Sequence, residues 1–147
     1  MRRRHILGGV DSDLRQVAMW VDEHVCPAVA LEGHRSNERQ AELHAKGASK
    51  IKKGGPHNSY PSRALDMSPD PIPERWGGFP EPDEDGRVDL EEVKVAAKHL
   101  AKFYYLAGAM KARAASVDLD LRWGGDWDGD GDFLDNGFDD LVHFEVQ

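Results

Sequence analysis

The apolar positions of the chain fall into a few short stretches of clear period. Leu14, Val17, Ala18, Val21 and Val25 recur at helical spacing and predict a helix from about Ser12 to Val25, with Asp11 or Ser12 as its cap and Pro27 as its stop. Val29 to Glu32 reads as a short strand. Ser36 caps a second predicted helix, from about Asn37 to Lys46, which stops at Gly47. Residues 48–61 are rich in Lys, Gly, Ser and Pro and read as loop, and the alternation from Arg63 to Ser68 reads as a strand. A Pro- and Gly-rich run, 69–86, reads as an irregular surface loop. Asp89 with Glu92 forms a capping-box pattern at the head of the longest helix, with Leu90, Val93, Ala97, Leu100, Tyr104 and Ala107 as its expected buried stripe. Leu119 to Trp123 and Leu141 to Val146 are the last two strands, joined by a Gly/Asp loop. Helices early and in the middle, with strands between and after them, predict an α+β fold: a small, mostly antiparallel sheet with helices packed on one face.

No internal repeat or low-complexity linker divides the chain, so residues 1–147 read as one domain with no separate surface-binding domain. A domain of this size buries about two-thirds of its surface and needs no disulfide. The single cysteine, Cys26, lies in an apolar stretch with no local base and reads as a small buried residue. The absence of a disulfide pair fits folding in a reducing cytoplasm. The basic N-terminus precedes an apolar run (Ile6, Leu7) too short for a signal peptide, and no window approaches a membrane span, so synthesis without export signal is expected. The net charge of −8 is uneven: Lys and Arg outnumber Asp and Glu up to residue 53, and acids dominate afterwards. Such a chain is a poor nucleic-acid binder, because that task relies on neutralising phosphates.

Three residues point to chemistry. His57 lies in the Gly/Pro-rich loop, Asp66 in the strand after it, and His143 in the last strand. A catalytic zinc takes three ligands of these types and keeps a fourth position open. Asp140, three residues before His143, is a carboxylate that can take a proton from an activated water and pass it to a leaving amine. The other histidines, His5, His24, His34, His44 and His99, read as surface or helix-face residues.

The text around these residues resembles a known family. Leu31-Glu-Gly-His-Arg-Ser36, His57-Asn-Ser-Tyr-Pro-Ser-Arg-Ala-Leu-Asp66, Trp123-Gly-Gly-Asp-Trp-Asp128 and Asp140-Leu-Val-His-Phe-Glu145 look like the zinc D-Ala-D-Ala carboxypeptidase and L-alanyl-D-glutamate endopeptidase family, closest to its bacteriophage endolysin-like members. The resemblance runs from about Leu31 to the C-terminus with the motifs in the family's order. It implies His57, Asp66 and His143 as zinc ligands, Asp140 as catalytic base, and Arg35 as the group that contacts the scissile carbonyl or its oxyanion. Two features depart from the commoner pattern. Nine residues separate His57 from Asp66 where many members have seven, and the base is an Asp where the dipeptidase branch has Glu. The shorter base favours the endopeptidase branch.

Two further acidic features remain. Glu145 shares a strand face with His143 and reads equally as a partner for that histidine or as a plain edge carboxylate. Asp126, Asp128, Asp130 and Gly131 match the first half of a calcium loop, but the twelfth position is Gly137, so an EF-hand is not expected. A non-helical calcium site on Asp126, Asp128, Asp130 and Asp132 is one reading of this stretch; a solvated turn is the other.

The expectation is therefore a zinc-dependent hydrolase of peptidoglycan stem peptides, first as L-alanyl-D-glutamate endopeptidase and alternatively as D-Ala-D-Ala carboxypeptidase. A metal-stabilised, non-catalytic wall-binding or virion module is the reading from another class; Asp140 and the lack of a fourth protein ligand speak against it. The expected partner is the stem peptide, with no nucleic acid and no membrane insertion. The expected setting is a monomer made in a host cytoplasm and released to the wall through a holin-type pore.

Overall fold

The computed structural model describes residues 1–74 and 80–147, so the centre of the proline-rich stretch read as irregular loop lies outside the described residues. Helix α1 spans Ser12–His24, α2 Asn37–Ala45 and α3 Leu90–Ala115. Strand β1 spans Ala28–Glu32, β2 Ala64–Pro69, β3 Leu121–Gly124 and β4 Asp140–Val146. Short 3-10 turns at Arg4–Gly9 and Pro56–Asn58 were not foreseen from the sequence, because three-residue periodicity leaves no apolar stripe of its own.

Each α-helix starts where a side-chain oxygen satisfies its free amides. Asp11 rather than Ser12 caps α1, accepting from Asp13 N and Leu14 N at 3.0 and 3.1 Å. Ser36 Oγ accepts from Arg39 N at 3.2 Å, and α2 ends before Gly47, which takes φ 71. Asp89 accepts from Glu91 N and Glu92 N at 2.8 and 3.3 Å.

The sheet has the order β1-β2-β4-β3, and every neighbouring pair is antiparallel. Its register puts Glu32 beside Asp66, Asp66 beside His143, and Glu145 between Ala64 and Arg122. Because side chains alternate across a strand, the intervening residues Leu65, Met67, Trp123 and Phe144 all turn to the opposite face. There they join Leu14, Val17, Val21, Leu106 and Met110 in one buried cluster beneath α1 and α3. The expected architecture of a small antiparallel sheet covered on one face is what forms, and the uncovered face carries the polar row.

Two apolar expectations are corrected. The buried stripe of α3 is Ala96, Phe103, Leu106, Ala107, Met110 and Ala114, whereas Leu90 is 72% exposed and Ala97 faces solvent. Apart from Ala96, the buried residues of α3 lie in its later turns, so packing there sets the phase and the first turn needs no core. Val25 is the C-cap residue of α1 and is 37% exposed, because the chain has already left the helix for β1. Cys26 is half-buried against the core as a free thiol, and burial, with the Asp22 charge beside it, raises its pKa away from reactivity.

The start of β4 is held by close backbone approach. The register shifts between Trp123 and Gly124, and Gly124 pairs with Asp140. A Cβ at Gly124 would collide with the Asp140 carbonyl oxygen, so only glycine lets the two strands meet there.

Phe144→Ala, which empties a fully buried ring position, is expected to lower unfolding free energy by about 3–5 kcal/mol. Leu134→Ala, at a side chain 94% exposed, should change it by less than about 0.5 kcal/mol. Urea denaturation of both variants checks the pair.

Candidate metal centre

His57, Asp66 and His143 come from three separate segments and meet on the open face of the sheet. Asp66 and His143 are cross-strand neighbours in β2 and β4, and His57 enters from the Pro56–Asn58 turn. That turn is fastened to the segment after β1: Arg35 N donates to His57 O at 2.8 Å, and Asn58 Nδ2 donates to Arg35 O at 2.8 Å. The nine-residue spacing therefore still brings His57 and Asp66 together, since the turn and the following loop absorb the extra length.

His57 Nε2 lies 3.1 Å from Asp66 Oδ1, His143 Nδ1 lies 3.0 Å from the same oxygen, and the two ring nitrogens are 3.3 Å apart. A tetrahedral ion with bonds of about 2.0–2.1 Å needs neighbouring ligand atoms about 3.3 Å apart, so these three atoms suit one face of such a tetrahedron. The far side of each ring decides where its proton sits. His57 Nδ1 is 2.7 Å from the Gly33 carbonyl, and His143 Nε2 is 3.0 Å from Glu145 Oε2. Both neighbours are acceptors only, so these two nitrogens carry the hydrogens. The lone pairs of His57 Nε2 and His143 Nδ1 then converge with a carboxylate oxygen, and such a meeting calls for a cation. Without a metal ion, a proton takes that place. Burial alone would lower the pKa of His143, but hydrogen bonds to Asp66 and Glu145 overcome it and raise it to about 9. Burial likewise works against the Asp66 charge, and the two histidines outweigh it, holding this carboxyl well below the usual range.

Glu145 is a buried partner of the ligand histidine rather than an edge carboxylate. Arg122 pairs with it through Nε at 2.9 Å and through a second guanidinium nitrogen, and Gln147 donates at 2.8 Å. Burial would raise its pKa, but the bonds from His143 and Arg122 bring it down to about 2, so it stays ionised. A fixed carboxylate there orients the imidazole and increases its basicity.

The triangle lies in a cleft of about 890 Å³ that Asp140, Arg35 and Trp127 also line. Burial raises the pKa of Asp140, and the nearby Asp66 charge raises it further, against partial relief from His143 and His57. A carboxylate in that state is better poised to accept a proton than an exposed one. Arg35 is clamped: one terminal nitrogen donates to Glu32 at 2.7 Å and reaches Asp66 at 3.4 Å, and the other donates to Gln40 at 2.9 Å. The guanidinium is thus set beside a ligand carboxylate with little freedom to move. Trp127 stands over the His143 ring with centroids 5.6 Å apart, and its Nε1 donates to Phe138 O at 2.7 Å.

Gln40 and Arg122 were not singled out from the sequence, and Trp127 entered only as part of the segment 123–128, with no role given to it. Gln40 carried no signal, since a glutamine within a polar helix looks solvated, yet it is 2% exposed. Arg122 was legible in principle, because the β3–β4 pairing puts it opposite Glu145.

In the acidic loop, Asp126, Asp128 and Asp130 each bring an oxygen within 4.8 Å of the others, and Asp132 is not part of that group. Asp126 is 1% exposed and paired with Lys111 at 2.8 Å, which already compensates its charge. The remaining carboxylates receive backbone amides two residues on, Asp132 N to Asp130 at 2.7 Å and Leu134 N to Asp132 at 2.9 Å.

No protein-family model matches the chain, and no curated protein matches it in sequence. Among solved structures the chain is similar to the L-Ala D-Glu endopeptidase ChiX of Serratia marcescens, at 23% identity and a TM-score of 0.65 over 99% of this chain and 86% of that one. The likeness extends over the whole chain and establishes a shared fold.

Added zinc is expected to raise the melting temperature of the wild type and to leave that of His143→Ala unchanged. Glu145→Gln should still bind, with affinity lowered about 10- to 100-fold. Thermal unfolding and metal titration by calorimetry read both.

Proposed function

We propose that the chain is a zinc peptidase that hydrolyses the L-alanyl–D-glutamyl bond in the stem peptides of peptidoglycan, as endolysins do. One observation carries this reading: two imidazole lone pairs and a carboxylate oxygen converge in a cleft that also holds a second, separate carboxylate, Asp140. Two nitrogens and one oxygen in a tetrahedral arrangement suit zinc, and three protein ligands leave a coordination position for substrate or water. The shared fold with a protein named as an L-Ala D-Glu endopeptidase favours that bond over the D-Ala–D-Ala bond.

His57, Asp66 and His143 would hold the ion. An ion held there would supply Lewis acidity, which polarises a peptide carbonyl and lowers the pKa of water. Asp140 takes a proton from the attacking water and returns it to the amide nitrogen as the carbon–nitrogen bond breaks, so the carboxylate ends the cycle unprotonated. Arg35, held by Glu32 and Gln40, presents fixed positive charge to the oxygen on which negative charge develops. Glu145 and Arg122 keep His143 in the tautomer that leaves Nδ1 free. In this reading the chain works as a monomer, made in a phage host and passed to the wall through a separate pore.

Incubation with purified peptidoglycan is expected to produce new D-glutamyl amines, detected by amine labelling and mass spectrometry. Asp140→Asn should keep its zinc and lose about 10²- to 10⁴-fold in kcat. Release of D-alanine instead would make the chain a carboxypeptidase. Bound zinc with no cleavage of any wall would leave a metal-stabilised binding module.

A further inference from the structure

The wall of the cleft formed by the segment after α2 has a charge opposite to that of the molecule as a whole. The chain carries a net charge of −8, yet no Asp or Glu occurs between Glu42 and Asp66. Within that interval Lys46, Lys50, Lys52 and Lys53 are all exposed, and none of them forms an ion pair among the described residues. Only one of the four, Lys50, lines the cleft that holds the metal triangle.

The placement of Lys50 is built. Gln40, buried at the base of α2, donates through Nε2 to Ser49 Oγ at 2.8 Å and to the Ile51 carbonyl, while its Oε1 accepts from Arg35. The residues on either side of Lys50 are therefore fastened to the interior. Its own side chain crosses the cleft instead, and its ammonium lies 4.3 Å from the centre of the Phe138 ring on the other wall. An exposed cation–aromatic contact is worth only about 0.5–1 kcal/mol, so an anion entering the cleft competes readily for that ammonium. The other cations in the cleft are engaged: Arg35 by Glu32 and Asp66, Arg122 by Glu145. Lys50 is thus the lining cation without a carboxylate among the described residues, on a wall of exposed lysines.

We propose that Lys50 is a specificity-determining residue that binds a free carboxylate of an acidic peptide substrate, on the same chain segment that Gln40 ties to Arg35. This rests on the peptidase reading and narrows its substrate class: of two stem peptides differing only at the glutamyl α-carboxyl group, the free acid is preferred over the amide. An anionic wall polymer attracted by the outer lysines is the competing source of such a preference, and it would depend on Lys52 and Lys53 instead.

The test uses a matched pair of peptides with D-glutamate or its α-amide after L-alanine. The zinc-loaded wild type is expected to show a KM about tenfold lower for the acid, the size of one charge-assisted contact. Lys50→Met should bring the two KM values together, Lys50→Arg should keep them apart, and Lys52→Met should leave the preference intact. Calorimetric binding of both peptides to the zinc-loaded Asp140→Asn protein reads the same preference without turnover. Equal affinities there, or a preference that Lys50→Met leaves in place or that Lys52→Met removes, would overturn the proposal. Acid-selective, Lys50-dependent binding without cleavage by the wild type would overturn the peptidase reading alone.

Discussion

The antiparallel register of β2 against β4 is the constraint on which the site depends. It places Asp66 opposite His143 and, two residues on, Glu145 opposite Ala64 and beside Arg122. Side chains alternate along a strand, so a slip of one residue would drive Leu65 and Phe144 to the cleft and bury two charged groups in the core. Neither exchange is tolerable: the apolar residues would lose their burial and the ionised ones their partners. Packing beneath α1 and α3 therefore holds the polar row in place from the face opposite the cleft.

A second layer of hydrogen bonds makes that row a candidate metal site. The Gly33 carbonyl and the Glu145 carboxylate each take a ring hydrogen from a histidine, so the free lone pairs face one another across about a ligand-to-ligand distance. The same segments position the rest of the cleft. The Gly33–Ser36 stretch supplies an acceptor for His57 and the guanidinium of Arg35, and Gln40 links that guanidinium to the wall bearing Lys50. The candidate ligands, the charged group beside them and the basic wall are thus parts of one hydrogen-bonded network.

Much of the fold was legible because it is local. Asp11, Ser36 and Asp89 stand where free helix amides need oxygen acceptors, and alternation in residues 63–68 and 141–146 marks strands with one buried face. The phase of α3 was not legible. Its alanines and leucines support more than one apolar stripe, and the choice among them belongs to tertiary packing, which buries Phe103, Leu106 and Met110 and leaves Leu90 in water. The sequence left Glu145 open between two readings; in the structure its carboxylate lies 3.0 Å from His143 and pairs with Arg122 across the strand pair.

By itself the sequence determined the α+β class and the order of the α-helices and strands, since these follow from periodicity and capping chemistry. His57, Asp66 and His143 were picked out by donor type together with a family resemblance in the text around them. Only the tertiary structure decided that His57, Asp66 and His143 share one point, that Glu145 and Gly33 set their tautomers, and that Gln40 turns Lys50 into the cleft. The physical reason is range. Caps and alternation act over a few residues, whereas the triangle joins positions 86 residues apart and exists only once a buried core has closed the sheet.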